Sequence, residues 1–303
     1  MTAAYQRRAW VQQIMGMPVS VHVRCDDPSA AHVEHRVAAV FAELRHADAV
    51  FSPYRDDSDL SRWQRGELTL HSANVPLTKA DAAFAEADAA LVKAGAALAE
   101  ANGTLAEAAA ALAEVNGTLP KADFTLAEVV ALCEQARLRT GGWFDARADG
   151  RTYDPSGLVK GWAVQRAARN LAGLHGYGWC LNAGGDVLVH APDGRPPWRV
   201  GIEDPDRPSR TTGVITVRDG AVATSGTAHR GAHITDPHTR APATKVRAVT
   251  VTGPDLLWAD VYATAAAARG TDAIDWLNSL PRIEAQLLTT TGTTHTTTGW
   301  SGG

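Results

Sequence analysis

The sequence predicts an α+β fold, and three observations carry that prediction. Between Trp179 and Ser225, short apolar stretches follow one another at strand length: "WCL", "DVLVH", "WRVGI", "GVITV" and "AVATS". Helical patterns flank this block in groups and do not alternate with each strand. The Asp219-Gly220 pair between the last two strands is a hairpin signal, which favours antiparallel neighbours over a doubly wound sheet.

The elements follow in order. "VSVHV" alternates like a half-buried strand. Asp27 and Pro28 introduce an amphipathic helix with Val33, Val37, Val40, Phe41 and Leu44 on one face. "FSPYRDDSDLSRW" is polar, carries a proline and reads as a loop. From Leu77 to Leu132 the chain repeats every seven residues, with Leu77, Phe84, Leu91, Leu98, Leu105, Leu112, Leu119 and Leu126 in one position. Heptad spacing suits a helical attachment surface for a partner. Asn102-Gly103, Asn116-Gly117 and Pro120 interrupt any continuous helix, however, which favours an expanded low-complexity repeat. Residues 77–122 are therefore set apart as a heptad-repeat helical insertion, between a domain of residues 1–76 and its continuation at 123–303.

Thr125 and Glu128 form a capping box for a helix that stops at Gly141-Gly142. A second helix follows "DPSGLVKGWAV". After the strand block come "VRAVTVT", the helices "PDLLWADVYATAAAARG" and "TDAIDWLNSL", and a last strand "IEAQLLTT" leading to a threonine-rich tail.

Composition narrows the function. With 45% hydrophobic and 20% charged residues, 303 residues suffice for one large mixed domain or two. A net charge of −4 without a basic cluster argues against a nucleic-acid-binding protein. Three widely spaced cysteines fit neither a disulfide framework nor a zinc site and suit a reducing compartment. The N-terminal stretch has an Arg-Arg pair but neither the apolar core of a signal peptide nor a cysteine placed for lipidation. No apolar run approaches the ~18 residues of a membrane span. These features lead to the expectation of a cytoplasmic protein without a membrane span.

Four clusters carry residues suited to chemistry. "GGWFDA" places Asp145 after two aromatics, where a plain helix stop is an equal reading. In "DPSGLVKG", Asp154 caps a helix or lines a site, Gly157 bends the loop, and Lys160 stands at the helix mouth within reach of a phosphate. In "LNAGGDV", Asn182, Gly184, Gly185 and Asp186 permit close backbone approach to a ligand or form an ordinary turn. The fourth gathers Ser225, His229, Arg230, His233 and Asp236 in one non-helical stretch, followed by Asp260 and Thr264 four apart on a helix. A carboxylate and a hydroxyl on one face suit Mg²⁺, although a solvated aspartate and a self-bonded threonine give the same pattern.

In order along the chain, "MGM", "FSPYRDDSDLSR", "TGGWFDA", "DPSGLVKGWAV", "LNAGGDV", "WRVGIEDP", "VATSG", "HITDPHT" and "ADVYAT" resemble the ApbE family of FAD:protein FMN transferases. The resemblance runs from about Ile14 to Gly270 and is interrupted only by the heptads. It implies an ApbE-like, T-fold-related arrangement of mixed sheets with packed helices. It also implies that FAD is held by Met15, Tyr54, Trp143, Phe144, Asp145, Asp154, Lys160 and Ile234, with the Asn182, Gly184, Gly185 and Asp186 loop, Ser225 and His233 beside it. Mg²⁺ would be bound by the Gly157 carbonyl, Asp260 and Thr264, and Lys160 would meet the FAD pyrophosphate.

The implied reaction passes the FMN phosphoryl group to a threonine hydroxyl of an acceptor flavoprotein and releases AMP. His233 is the candidate base, with Asp260 and Lys160 as its catalytic companions. Two alternatives share the site: a Mg²⁺-dependent FAD pyrophosphatase yielding FMN and AMP, and a non-catalytic FAD-binding or scaffold protein. The chain departs from the family pattern at Arg240, where glycine is usual, at Gln165, where an aspartate is frequent, and at Pro155-Ser156, in place of Leu-Gly.

Overall fold

The computed structural model describes residues 6–68, 126–227 and 234–302. The chain divides into two units, residues 1–68 with 129–303, and residues 69–128. The heptads up to Leu119, and the Thr125 half of the capping box, lie outside the described residues. In the second unit only the opening of one helix is described.

The first unit is built on an eight-stranded sheet of β1 (Gln6–Ile14), β2 (Met17–Cys25), β3 (Gly178–Ala183), β4 (Asp186–His190), β7 (Asp219–Gly226), β8 (Val246–Gly253), β9 (Glu284–Thr289) and β10 (Thr294–Thr296), in that spatial order. A separate ribbon pairs β5 (Trp198–Asp204) with β6 (Arg207–Val217). Every pairing between these strands is antiparallel. The helices are α1 (Ala31–Phe51), α2 (Asp59–Gln64), α3 (Leu126–Arg139), α4 (Ser156–Ala168), α5 (Leu256–Arg269) and α6 (Ala273–Asn278). The chain is thus α+β with helices packed on a large sheet.

Local patterning explains most of these elements. In β2 the odd positions Val19, Val21 and Val23 are buried while Pro18 is exposed and Ser20, His22 and Arg24 are half-buried. The α1 stripe of Val33, Val37, Val40, Phe41 and Leu44 is buried as its spacing requires. Helix α5 is buried nearly all round, because it packs against β7 and β8 on one side and α4 on the other. Its alanines keep the neighbouring backbones close. A Cβ added at Gly161 of α4 would sit 2.6 Å from the Leu256 carbonyl oxygen and 2.9 Å from Asp260 Cβ.

The structure corrects the sequence reading in three places. "FSPYRDDSDLSRW" is not all loop: α2 forms within it, because Ser58 is buried and accepts the Ser61 N–H at 3.1 Å as an N-cap. Strand β1 has no signal of its own in the sequence, since "QRRAWVQQI" lacks clean alternation; pairing along its whole length with β2 creates it. Asp219-Gly220 is not a hairpin turn. β6 belongs to the ribbon, and Asp219 and Gly220 open β7, paired with His190 and Val189. Gly220 answers to a close approach: at φ +136°, a Cβ there would meet the Gly253 carbonyl oxygen at 2.7 Å. Among the described residues no helix is long and apolar enough to cross a membrane.

Candidate active site

The site assembles where α4, α5 and the ends of β3, β4 and β7 meet. Its entrance is shaped by the end of α3. Thr140 Oγ1 donates to the Ala136 carbonyl at 2.8 Å and accepts the Phe144 N–H at 2.9 Å. Gly141 and Gly142, at φ +62° and +85°, turn the chain there. Phe144 is thereby buried against Gly157, where an added Cβ would meet its ring at 3.3 Å. The Asp154 N–H returns to the Ala146 carbonyl at 2.7 Å, and Asp154 Oδ1 accepts the Ser156 N–H at 2.9 Å. "GGWFDA" and "DPSG" are therefore one joint.

Gly157 sits in the first turn of α4, and a Cβ there would lie 3.2 Å from Thr264 Oγ1. Thr264 Oγ1 is 3.1 Å from Ser225 Oγ, at the end of β7. One turn earlier on α5, Asp260 is only 1% exposed and accepts the Gly161 N–H at Oδ2, 3.0 Å. In a regular helix that N–H is aimed at the Gly157 carbonyl; here it also meets a carboxylate of α5. Asp186, also 1% exposed, accepts the Thr224 N–H at 2.9 Å. Its second oxygen contacts the Lys160 ammonium, which lies 3.3 Å from Asp260 Oδ1 as well.

One ammonium therefore faces two buried carboxylates. Burial pushes the Asp260 carboxyl above the usual carboxylate range, and the Lys160 charge pulls it back. Burial alone would lower Lys160, but Asp186 and Asp260 together hold it above its ordinary value. With both carboxylates ionised the pocket carries one uncompensated negative charge. Sequence reasoning expected Lys160 to face a pyrophosphate; the structure pairs it with protein carboxylates from two other elements.

Most of the remaining expected residues sit on turns and loops. Met15 (φ +54°) and Gly16 (φ +69°) form the two-residue turn joining Ile14 to Met17, with both dihedrals in the left-handed region that a type I′ turn requires. For methionine that is a strained conformation. Gly185 N–H donates to Asn182 Oδ1 at 3.0 Å, and a Cβ on Gly184 would meet Met17 Sδ at 2.6 Å. Tyr54 is 83% exposed and lines a cleft of about 330 Å³ with Gln64, Arg65, Tyr153 and Asp154. Trp143 meets His238 edge-on at 4.4 Å, Asp145 caps the Arg147 N–H at 2.8 Å, and Ile234 is buried. His233, His229 and Arg230 lie outside the described residues.

Asp236 does not join the centre. It caps the His238 and Thr239 N–H groups in its own turn, where Arg240 adopts φ +59°. That left-handed dihedral explains why glycine suits this position. Sequence reasoning missed the link from Asp186 to Lys160 and the role of Gln165, whose Oε1 accepts the Leu256 and Leu257 N–H groups.

The donor set fits a hard divalent cation. Gly157, Asp260 and Thr264 bring carbonyl, carboxylate and hydroxyl oxygens on α4 and α5, beside the second buried carboxylate of Asp186. Among the described residues no group of three or more His, Cys, Asp or Glu side chains is disposed as a metal centre. The set relies on a single carboxylate, so phosphate oxygens and water would complete the shell.

A sequence profile described as the ApbE family matches residues 15–287. The chain belongs to the ApbE family. A curated relative from Rhodobacter capsulatus, FAD:protein FMN transferase, is 35% identical over 143 residues, a stretch covering 44% of this chain and 26% of that protein. The matched stretch thus spans about a quarter of the relative's length. Solved structures similar to this ApbE-family chain include the ApbE protein of Thermotoga maritima, at TM-score 0.67 and 17% identity over 97% of each chain. The flavin transferase ApbE of Vibrio cholerae gives TM-score 0.66 at 19% identity, over 97% of this chain and 98% of the other. These likenesses establish the ApbE fold.

Proposed function

We propose that this chain transfers the FMN moiety of FAD to a threonine hydroxyl of an acceptor flavoprotein and releases AMP. The observation that carries this reading is the buried Lys160–Asp186–Asp260 cluster next to the Gly157, Ser225 and Thr264 oxygens. Membership of the ApbE family and the named activity of the R. capsulatus relative support it.

In this reading FAD runs from the Tyr54 and Asp154 cleft past Met15, Trp143, Phe144, Asp145 and Ile234 toward the cluster. The Asn182–Asp186 loop supplies a backbone wall where glycines permit close approach. Mg²⁺ would be held by Gly157, Asp260 and Thr264, and when bound it neutralises charge on the pyrophosphate. Lys160 bridges both carboxylates, and its charge opposes the upward push of burial on Asp260. The threonine oxygen attacks the phosphorus of the FMN half, and the bond from that phosphorus to the bridging oxygen breaks. AMP departs with the bridging oxygen, leaving a phosphoester. His233, one residue before the buried Ile234, is assigned as the base that takes the hydroxyl proton. We also assign residues 77–122 to an insertion outside the transferase and place the protein in the cytoplasm, which its three buried free cysteines accommodate.

The test is incubation with FAD, Mg²⁺ and a threonine-bearing acceptor. Fluorescent flavin on the acceptor together with AMP is expected. Free FMN and AMP would indicate hydrolysis instead, and intact retained FAD a binding protein. His233→Ala should keep FAD affinity within a few-fold while transfer falls by roughly 10²–10⁴; His229→Ala should cost far less. Equal losses in the two would remove the base assignment.

A further inference from the structure

We propose that Gln165 is a positioning residue for the metal donors of α5, an inference that rests on the Mg²⁺ reading of Gly157, Asp260 and Thr264. The first four N–H groups of an α-helix have no partner within the helix. In α5 side chains cap three of these: Trp258 N–H reaches Asp255 Oδ1 at 2.9 Å, and the i→i−4 ladder begins with Ala259 N–H on the Asp255 carbonyl at 3.3 Å. Leu256 and Leu257 N–H both donate to one atom of another helix, Gln165 Oε1, at 2.7 and 3.0 Å. The residue that follows this capped turn is Asp260, and Thr264 lies one turn beyond.

Gln165 stands on α4, the helix that carries Gly157 and Lys160. Besides the Lys160–Asp260 ion pair at 3.3 Å, the two halves of the donor set are joined by hydrogen bonds at two points. One is the Gly161 N–H to Asp260 bond at 3.0 Å, where the Gly161 backbone abuts the Leu256 carbonyl. The other is the Gln165 cap, a turn further along α4. The ion pair and the Gly161 bond both end on the Asp260 carboxylate and permit pivoting about it; the Gln165 cap, on the backbone of α5, fixes the rotation of the helix and hence the direction of the Asp260 and Thr264 oxygens. An amide oxygen does this with both of its lone pairs and without adding a third negative charge to the cluster.

The test compares Gln165→Met, which keeps the bulk and loses the acceptor, with Gln165→Glu, which keeps both acceptor positions. Mn²⁺, visible by electron paramagnetic resonance, serves as the probe ion and is titrated onto the full chain with FAD present. Gln165→Met should bind Mn²⁺ about tenfold more weakly, the lower end of what outer partners of metal ligands contribute, and Gln165→Glu should stay within about twofold of the unsubstituted protein. Thr297→Val, which removes a buried hydroxyl bonded to Ala285 N–H at 2.9 Å, is the stability control and should bind Mn²⁺ normally. Should Gln165→Met not fold, Gln165→Asn, one methylene short of the N–H pair, takes its place with the same direction expected. Normal Mn²⁺ affinity in the Met or Asn variant, or an equal loss in Thr297→Val, overturns the inference while leaving the metal site intact. Absence of saturable Mn²⁺ binding to the unsubstituted protein overturns the metal reading, and this inference with it.

Discussion

Without the Lys160 ammonium, Asp186 and Asp260 would confront each other in a pocket that water barely reaches. Removing one partner of a buried ion pair costs about 3–5 kcal/mol, because the remaining charge is stranded. Lys160 is one-fifth exposed, at 19%, so the lower end applies. Lys160→Met is therefore expected to lower unfolding stability by about 3 kcal/mol in a urea titration at neutral pH. Adding Asp186→Asn should restore part of it, since one stranded charge disappears. A Lys160→Met protein as stable as the parent would mean the cluster is not held by this pairing. The cysteines give a second test at this scale. All three are buried, and burial pushes the Cys133 and Cys180 thiols up to about 12 and raises Cys25 too. The reactive thiolate of each folded thiol is thus scarce at pH 8, and for Cys133 and Cys180 it would appear only as the pH rose toward that value. No thiol should react with a chromogenic disulfide at pH 8 until denaturant is added, when all three should.

At the scale of elements, the α4–α5 contact decides the sign of a substitution that helix propensity alone gets wrong. Alanine is favoured over glycine within a helix by about 1 kcal/mol. At Gly161, however, the new methyl would enter the Leu256 carbonyl and Asp260 Cβ. Gly161→Ala should thus destabilise by roughly 1–3 kcal/mol, the usual cost of overpacking, and should weaken FAD turnover as the helices part. A thermal-melt gain would refute the close approach. The elements that the sequence reveals, α1, β2 and α5, carry their own period. Those it conceals take their structure from distant partners: β1 from β2 along its whole length, and the Asp219-Gly220 step from the Gly253 carbonyl. The site divides in the same way. Asp260 and Thr264 share a helix face and are legible from their spacing. Asp186 meets Lys160 only because the sheet brings the start of β4 under α4, and nothing local in "LNAGGDV" announces it.

For the whole molecule, the family profile runs from residue 15 to 287 across the heptads, and the chain divides at residues 68 and 128. Joining Asn74 to Asp123 is therefore expected to yield a folded protein that retains FAD, checked by circular dichroism and flavin co-elution. An insoluble product, or one without flavin affinity, would place the heptads in the core.

The cluster of one ammonium and two carboxylates also bears on how the molecule responds to its medium. Bulk ions screen exposed charges over about 8 Å at physiological ionic strength but act weakly on charges enclosed by protein. Asp186 and Asp260 are both 1% exposed, so their interaction with each other and with Lys160 is nearly indifferent to added salt. Any ionic-strength dependence of the proposed transfer would then belong to the encounter of two protein surfaces, and rates measured with saturating FAD and acceptor should be flat where those at low acceptor change with salt.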